Sequence, residues 1–121
     1  MIANIMDLID EKFKELGYSK NLNNKKIVDD FHNKYYSINK ITTNPDLGNH
    51  IGSYTIEISI GYDCIKSEDF AFNQSQLDLV VNKLIDLERL LKFNYITLEP
   101  VSKNPKRQIG NISLLIDNYS C

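Results

Sequence analysis

Residues 54–62 read Tyr54-Thr55-Ile56-Glu57-Ile58-Ser59-Ile60-Gly61-Tyr62. Large apolar side chains at 54, 56, 58, 60 and 62 alternate with small or polar ones at 55, 57, 59 and 61. A β-strand sends successive side chains to opposite faces, so this order specifies one buried face and one polar face. A strand buried inside a parallel sheet would be apolar on both faces. The pattern therefore predicts an antiparallel sheet covered on one side.

Upstream, residues 35–42 (YYSINKIT) are rich in β-branched and aromatic side chains, with Tyr36 and Ile38 alternating with Ser37 and Asn39. The segment Asn44-Pro45-Asp46-Leu47-Gly48-Asn49 is turn-forming, so the two strands are expected to form a hairpin. Residues 19–34 are polar and interrupted by Ile27, Val28 and Phe31; a loop with a short strand and a loop with one helical turn both fit. Before them, Ile2, Ile5, Met6, Ile9, Phe13 and Leu16 recur at three- and four-residue steps, which predicts an amphipathic helix over 2–16. Gly17 stands where a left-handed C-cap belongs.

Downstream, 63–73 is read as a link whose Phe70 and Phe72 pack under a second helix. Ser75 with Asp78, or Asn73 with Gln76, fits a capping box. Leu77, Val80, Val81, Leu84, Ile85, Leu87 and Leu91 make an apolar stripe, which predicts a helix over 75–92. Phe93, Tyr95, Ile96 and Leu98 mark a further strand, residues 102–108 (SKNPKRQ) a basic turn, and Ile112, Leu114 and Ile116 a closing strand. The expectation is a single α+β domain over 1–121, with two helices packed on one face of a roughly four-stranded, mainly antiparallel sheet in the order α-β-β-α-β-β.

Composition removes several function classes. Of 121 residues, 42% are hydrophobic and 25% charged, with a net charge of −2, so bulk electrostatics favour neither nucleic acid nor an anionic membrane. No apolar run is long enough for a transmembrane helix, and the acids near the N-terminus argue against a signal peptide. Ile, Asn and Lys are abundant (16, 14 and 12) while Arg occurs twice and Trp never, a bias toward A/T-rich codons that carries no chemistry. The glycines form neither GxGxxG nor GxxxxGK[ST]. Cys64 and Cys121 are read as free thiols, with a disulfide between them as the alternative, and with His32 and His50 isolated they offer neither a zinc site nor an oriented Cys–His pair. Asp29-Asp30-Phe31-His32 is an acid–His cluster, read as a solvated connection anchored by Phe31, with a metal or acid/base site as the alternative. No cofactor and no catalysis are expected.

The surfaces offer more. Lys103, Lys106 and Arg107, with Lys92 nearby, form a basic cluster, either a contact for an acidic protein surface or a hairpin tip kept soluble by charge. The turn carrying Asp46, Leu47 and His50 is the other candidate contact loop. Phe13, Tyr54 and Tyr62 are expected in the core, whereas Tyr18, Tyr35 and Tyr119 at element ends suit an interface or a partly buried edge. Thr55, Glu57, Ser59, Ser113, Leu115 and Asp117 would line the uncovered sheet face, which either meets water or meets a neighbouring copy.

The layout resembles the tail terminator (tail completion) proteins of long-tailed bacteriophages and phage-like tail particles. The likeness is carried by Ile2–Leu16 as opening helix, Tyr36–Ile41 and Tyr54–Tyr62 as strands, Gln76–Leu91 as second helix (from SQLDLVVNKL) and Ile112–Ile116 (ISLLI) as closing strand. The resemblance implies a non-enzymatic structural protein that forms a ring, usually of six subunits, on the head-proximal end of the tail tube. Such a ring stops tube polymerisation and offers a surface to the head–tail connector. The implied partners are further copies of the chain, the tail tube protein and connector proteins, with no nucleic-acid sequence recognition and no membrane. The implied location is the virion tail, assembled in the host cytoplasm. A small α+β protein-binding module, of immunity or regulatory type and without catalysis, is the alternative.

Overall fold

A computed structural model describes residues 2–21, 33–46, 48, 50–101 and 104–118. The chain opens with helix α1 (Ile2–Glu15), which buries Ile5, Ile9 and Phe13 along one side. Gly17 ends it at φ 83°, with its N–H bonded to the Lys14 carbonyl and the Tyr18 N–H reaching back to that of Phe13. This paired closure satisfies two of the carbonyls that a helix end leaves open, and it needs a left-handed residue that glycine adopts without strain.

The sheet contains β1 (Ser19–Lys20), β2 (Tyr35–Pro45), β3 (Ile51–Asp63), β4 (Leu90–Val101) and β5 (Asn104–Asp117), in the spatial order β1-β2-β3-β5-β4. Both expected hairpins are present: β2 pairs antiparallel with β3, and β4 with β5. They join through β3 and β5, which are antiparallel over their whole shared length, from Ser53 opposite Asp117 to Asp63 opposite Arg107. Against the expectation of about four strands there are five, because β1 adds a two-residue strand parallel to β2. A pairing so short leaves no periodicity to read. The element order is accordingly α-β-β-β-α-β-β.

The second helix, α2 (Glu68–Leu84), starts seven residues earlier and ends eight residues earlier than the 75–92 expected. Ser75 is therefore inside the helix, where its hydroxyl donates to the Ala71 carbonyl, and it caps nothing. The start is instead held by the Asp69 carboxylate, which accepts the backbone N–H groups of Ile65 and Lys66. Leu77, Val80 and Leu84 are buried as expected, but Phe70 and Phe72 are 52% and 61% exposed and do not pack beneath the helix. Ile85 lies past its end, and Leu91 sits on β4, 56% exposed.

The core is one cluster between the helices and a single sheet face. It joins Ile5, Ile9 and Phe13 of α1 and Leu77, Val80 and Leu84 of α2 to Ile56, Ile58, Ile60 and Tyr62 of β3 and Ile112, Leu114 and Ile116 of β5. An aromatic knot closes one end. Phe13 stacks on Tyr36 with ring centroids 4.0 Å apart, and the buried hydroxyls of Tyr18 and Tyr62 are 2.7 Å from one another. Tyr18, whose place at an element end suits an interface or a partly buried edge, is thus a core residue, while Tyr35 is half-buried. The Tyr36 hydroxyl donates to Asp10, whose other oxygen meets Lys20 at 3.0 Å, so α1, β1 and β2 are tied by one polar chain.

The helix register yields a direct comparison. Leu77→Ala is expected to lower stability by about 3 kcal/mol, as for a buried leucine leaving a cavity, whereas Leu79→Ala and Phe72→Ala on the exposed side should each change it by under about 0.5 kcal/mol. Urea unfolding of the three variants checks this; a helix placed over 75–92 with Phe72 beneath it would make Phe72→Ala severe.

Candidate functional site

The residues expected to make contacts do not converge on one surface. Asp46 and His50 lie at the β2–β3 turn, where β3 begins beside Asp117 of β5. Lys106 and Arg107 lie where β3 ends: Arg107 is opposite Asp63, and the Lys106 carbonyl accepts the Cys64 N–H at 2.7 Å. About ten residues of strand separate the two groups, roughly 33 Å at the usual rise. Leu47 and Lys103 lie outside the described residues, as do Cys121, Tyr119 and the Asp29–His32 cluster.

The Asp46 side chain is committed to its own turn. Its carboxylate accepts the N–H groups of Gly48 at 2.9 Å and His50 at 3.3 Å, and the Asp46 N–H donates to the His50 carbonyl. The Gly48 hydrogen bond leads in holding the Asp46 carboxyl below its ordinary value. Asp69, half-buried, is lowered in the same way, chiefly by the Lys66 N–H and then by that of Ile65.

The sheet face away from the helices carries the polar side chains of β3 and β5 together with side chains from β2 and β4. One row crosses four strands: Asn39 of β2 donates to Ser59 of β3, Ser59 donates to Asn111 of β5 at 3.0 Å, and Asn111 donates to Glu99 of β4 at 3.0 Å. A second row has Tyr95 of β4 reaching across β5 to donate to Glu57 of β3 at 2.8 Å, with Asn94 donating to Ser113. That bond to a carboxylate raises the Tyr95 phenol above its ordinary value. Ser59 and Ser113 become buried beneath these neighbours. Along these rows the hydrogen-bonding groups are used on each other.

Three further features are exposed. Ile65, Phe70, Phe72 and Leu79 leave apolar surface on and just before α2. A cleft of about 300 Å³ opens between the start of α1 and the segment after α2, lined by Ile5, Leu8, Leu87 and Ile116 with Asn4, Glu88 and Arg89. The two outer margins of the sheet are the third. Beyond Tyr36, the outer side of β2 has no strand beside it among the described residues, and β4 has β5 on one side only. Exposed Ile41 sits on the first margin, and Leu91, Tyr95 and Ile96 sit on the second.

Inside, Asn73 of α2 donates to the Asp63 carbonyl and to the Gln108 side-chain oxygen, both at 2.8 Å, which locks the start of α2 onto the β3 and β5 ends. Among the described residues no three His, Cys, Asp or Glu side chains are grouped as a metal ion requires, and no helix is long and apolar enough to cross a membrane. No protein-family profile and no curated protein matches the chain.

Sequence reasoning missed Asn39, Asn94, Tyr95, Glu99 and Asn111 as members of the open face. A signal was present for Asn39. The inward residues Tyr36, Ile38 and Ile41 are spaced by two and then three, which marks an extra residue, and the register does shift between Ile38 and Lys40.

The Asp69 contact makes a pH-dependent prediction. Its carboxyl is lowered on folding, so its stabilisation is complete above the unfolded value and is lost as pH falls through the folded one. Asp69→Ala should therefore melt at lower temperature than the unaltered chain at neutral pH, with the gap closing in acid. Thermal melts followed by circular dichroism across that range measure it.

Proposed function

We propose that the chain is a ring-forming tail terminator (tail completion) protein of a long-tailed bacteriophage or phage-like tail particle. It caps the head-proximal end of the tail tube, stops tube growth and presents a joining surface to the head–tail connector. The observation that supports this reading is the order of the chain in space: helix, hairpin, helix, hairpin, with both hairpins in one sheet and one face of that sheet bare of helices. The order of these elements is the one the resemblance implies, with β1 as an addition. In this reading the protein has no catalysis and no cofactor, and it works through its surfaces in the host cytoplasm and then in the virion tail, in a ring that is usually of six.

A second reading is a small protein-binding module of immunity or regulatory type. It is favoured by the exposed Phe70 and Phe72 on α2, since aromatic side chains supply much of the binding energy at protein interfaces.

Native mass spectrometry combined with negative-stain imaging of tail tubes, with and without added protein, separates the two. Rings of about six copies seated on tube ends, with tube lengthening stopped, are expected. A strict monomer that leaves tube ends bare and tube growth unchanged sinks the terminator reading, and a monomer that loses a defined soluble partner on Phe72→Ala establishes the second.

A further inference from the structure

The outer margins of the sheet have matching polarity. Neighbouring strands alternate in direction across β2, β3, β5 and β4, so β2 and β4 run oppositely. A second copy placed beside the first, with its helices on the same side, therefore brings its β2 antiparallel to the first copy's β4. The part of β2 uncovered by described residues, 37–45, is short enough to lie wholly along β4, which spans Leu90–Val101. Unpaired strand edges carry rows of N–H and C=O groups that template such pairing.

Side chains select a register. Lys40 and Glu99 both point to the open face, being opposite Glu57 and Ile109 in rows whose other members lie there. With Glu99 opposite the next copy's Lys40, Leu98 faces Ile41 and Ile96 faces Thr43 on the helix side, and Thr97 faces Thr42 and Tyr95 faces Asn44 on the open side. The extra residue at Asn94 then brings Lys92 opposite Asp46. Two opposite-charge pairs form with no like-charge pair, and Ile41 and Ile96, 43% and 38% exposed in the single chain, become covered. Pro45 and Pro100 flank the run of Lys40–Asn44 against Tyr95–Glu99, where a missing N–H does least harm.

We propose that the chain assembles head to tail through these margins, the outer edge of β4 in one copy pairing antiparallel with the outer edge of β2 in the next, so that the sheets of successive copies run on as one. The interface is heterologous: each copy uses one surface to give and another to receive, which closes into a ring when the rotation per copy allows it. The inference shares with the terminator reading only its ring, and it names the surfaces that make that ring.

The test uses two edge-blocking variants of the full chain, because exposed edge lysines oppose strand pairing. Ile96→Lys blocks β4 and leaves β2 intact; Ile41→Lys does the reverse. Sedimentation analysis is expected to show the unaltered chain as an oligomer, each variant alone as a monomer, and their mixture as a one-to-one heterodimer that grows no further. Glu99→Lys alone and Lys40→Glu alone should each weaken association several-fold, and the double reversal should restore it. Circular dichroism confirms that every variant is folded, which is expected because these side chains lie at the sheet margin.

A strict monomer of the unaltered chain at its highest soluble concentration overturns the proposal. So does self-association of either blocked variant, which would mean like-with-like pairing, or failure of the double reversal to restore binding. Assembly by these edges without any seating on tail tubes leaves this proposal intact and sinks the terminator reading. Tube capping that survives both lysine variants does the opposite.

Discussion

The burial of Ile56, Ile58 and Ile60 beneath α1 and α2 is the constraint around which the molecule is arranged. Each of these side chains is worth roughly 2–3 kcal/mol when taken out of water. They lie on the middle strand of the sheet, so helices and both hairpins must register against them. A slip of one residue would put Glu57 and Ser59 inside and the isoleucines outside, which fixes the pairing with both neighbours. Gly110 shows how closely the layers meet: a β-carbon there would stand 3.1 Å from a Leu77 methyl and 3.3 Å from the Tyr62 ring, so α2 rests on β5 at a point that tolerates little bulk.

With the helices on one side, the polar side chains of the other must satisfy each other or water. The rows from Asn39 to Glu99 and from Tyr95 to Glu57 do the former, binding four strands by side chains as well as by backbone. A face whose polar groups are already engaged offers fewer free donors and acceptors to a ligand than one whose groups point into solvent. The unsatisfied backbone lies at the margins, so the sheet's capacity for new bonds is concentrated along its edges.

How much of this was legible depended on how regular each segment is. β3 and α1 follow uninterrupted periods of two and of three-to-four, and both were read correctly to within a few residues. The boundary between α2 and β4 was misread for a physical reason. The inward residues of β4 are Leu90, Phe93, Ile96 and Leu98, because register shifts at Leu90/Lys92 and Phe93/Tyr95 add a residue each. A strand bulged twice thus shows the three-residue spacing of a helix, and Leu84, Leu87 and Leu91 run on in sequence as one stripe. The early start of α2 was hidden because Phe70 and Phe72 look like core residues and are not. For the candidate surfaces, sequence proximity grouped charges within each turn, but only the strand register shows that the two turns occupy opposite ends.

The knot of Phe13, Tyr18, Tyr36 and Tyr62 has an optical consequence. The chain has no tryptophan and seven tyrosines, so its near-ultraviolet absorption and emission are set by phenol rings. Three of those rings sit together where the end of α1 meets the sheet, and two share a hydrogen bond away from water. Burial raises the phenols of Tyr36 and Tyr62 well above their ordinary values, so they stay protonated in alkali that ionises exposed tyrosines. The seating of the first helix on its sheet is therefore written into the protein's own spectrum, and its release can be followed by ultraviolet light with no label attached.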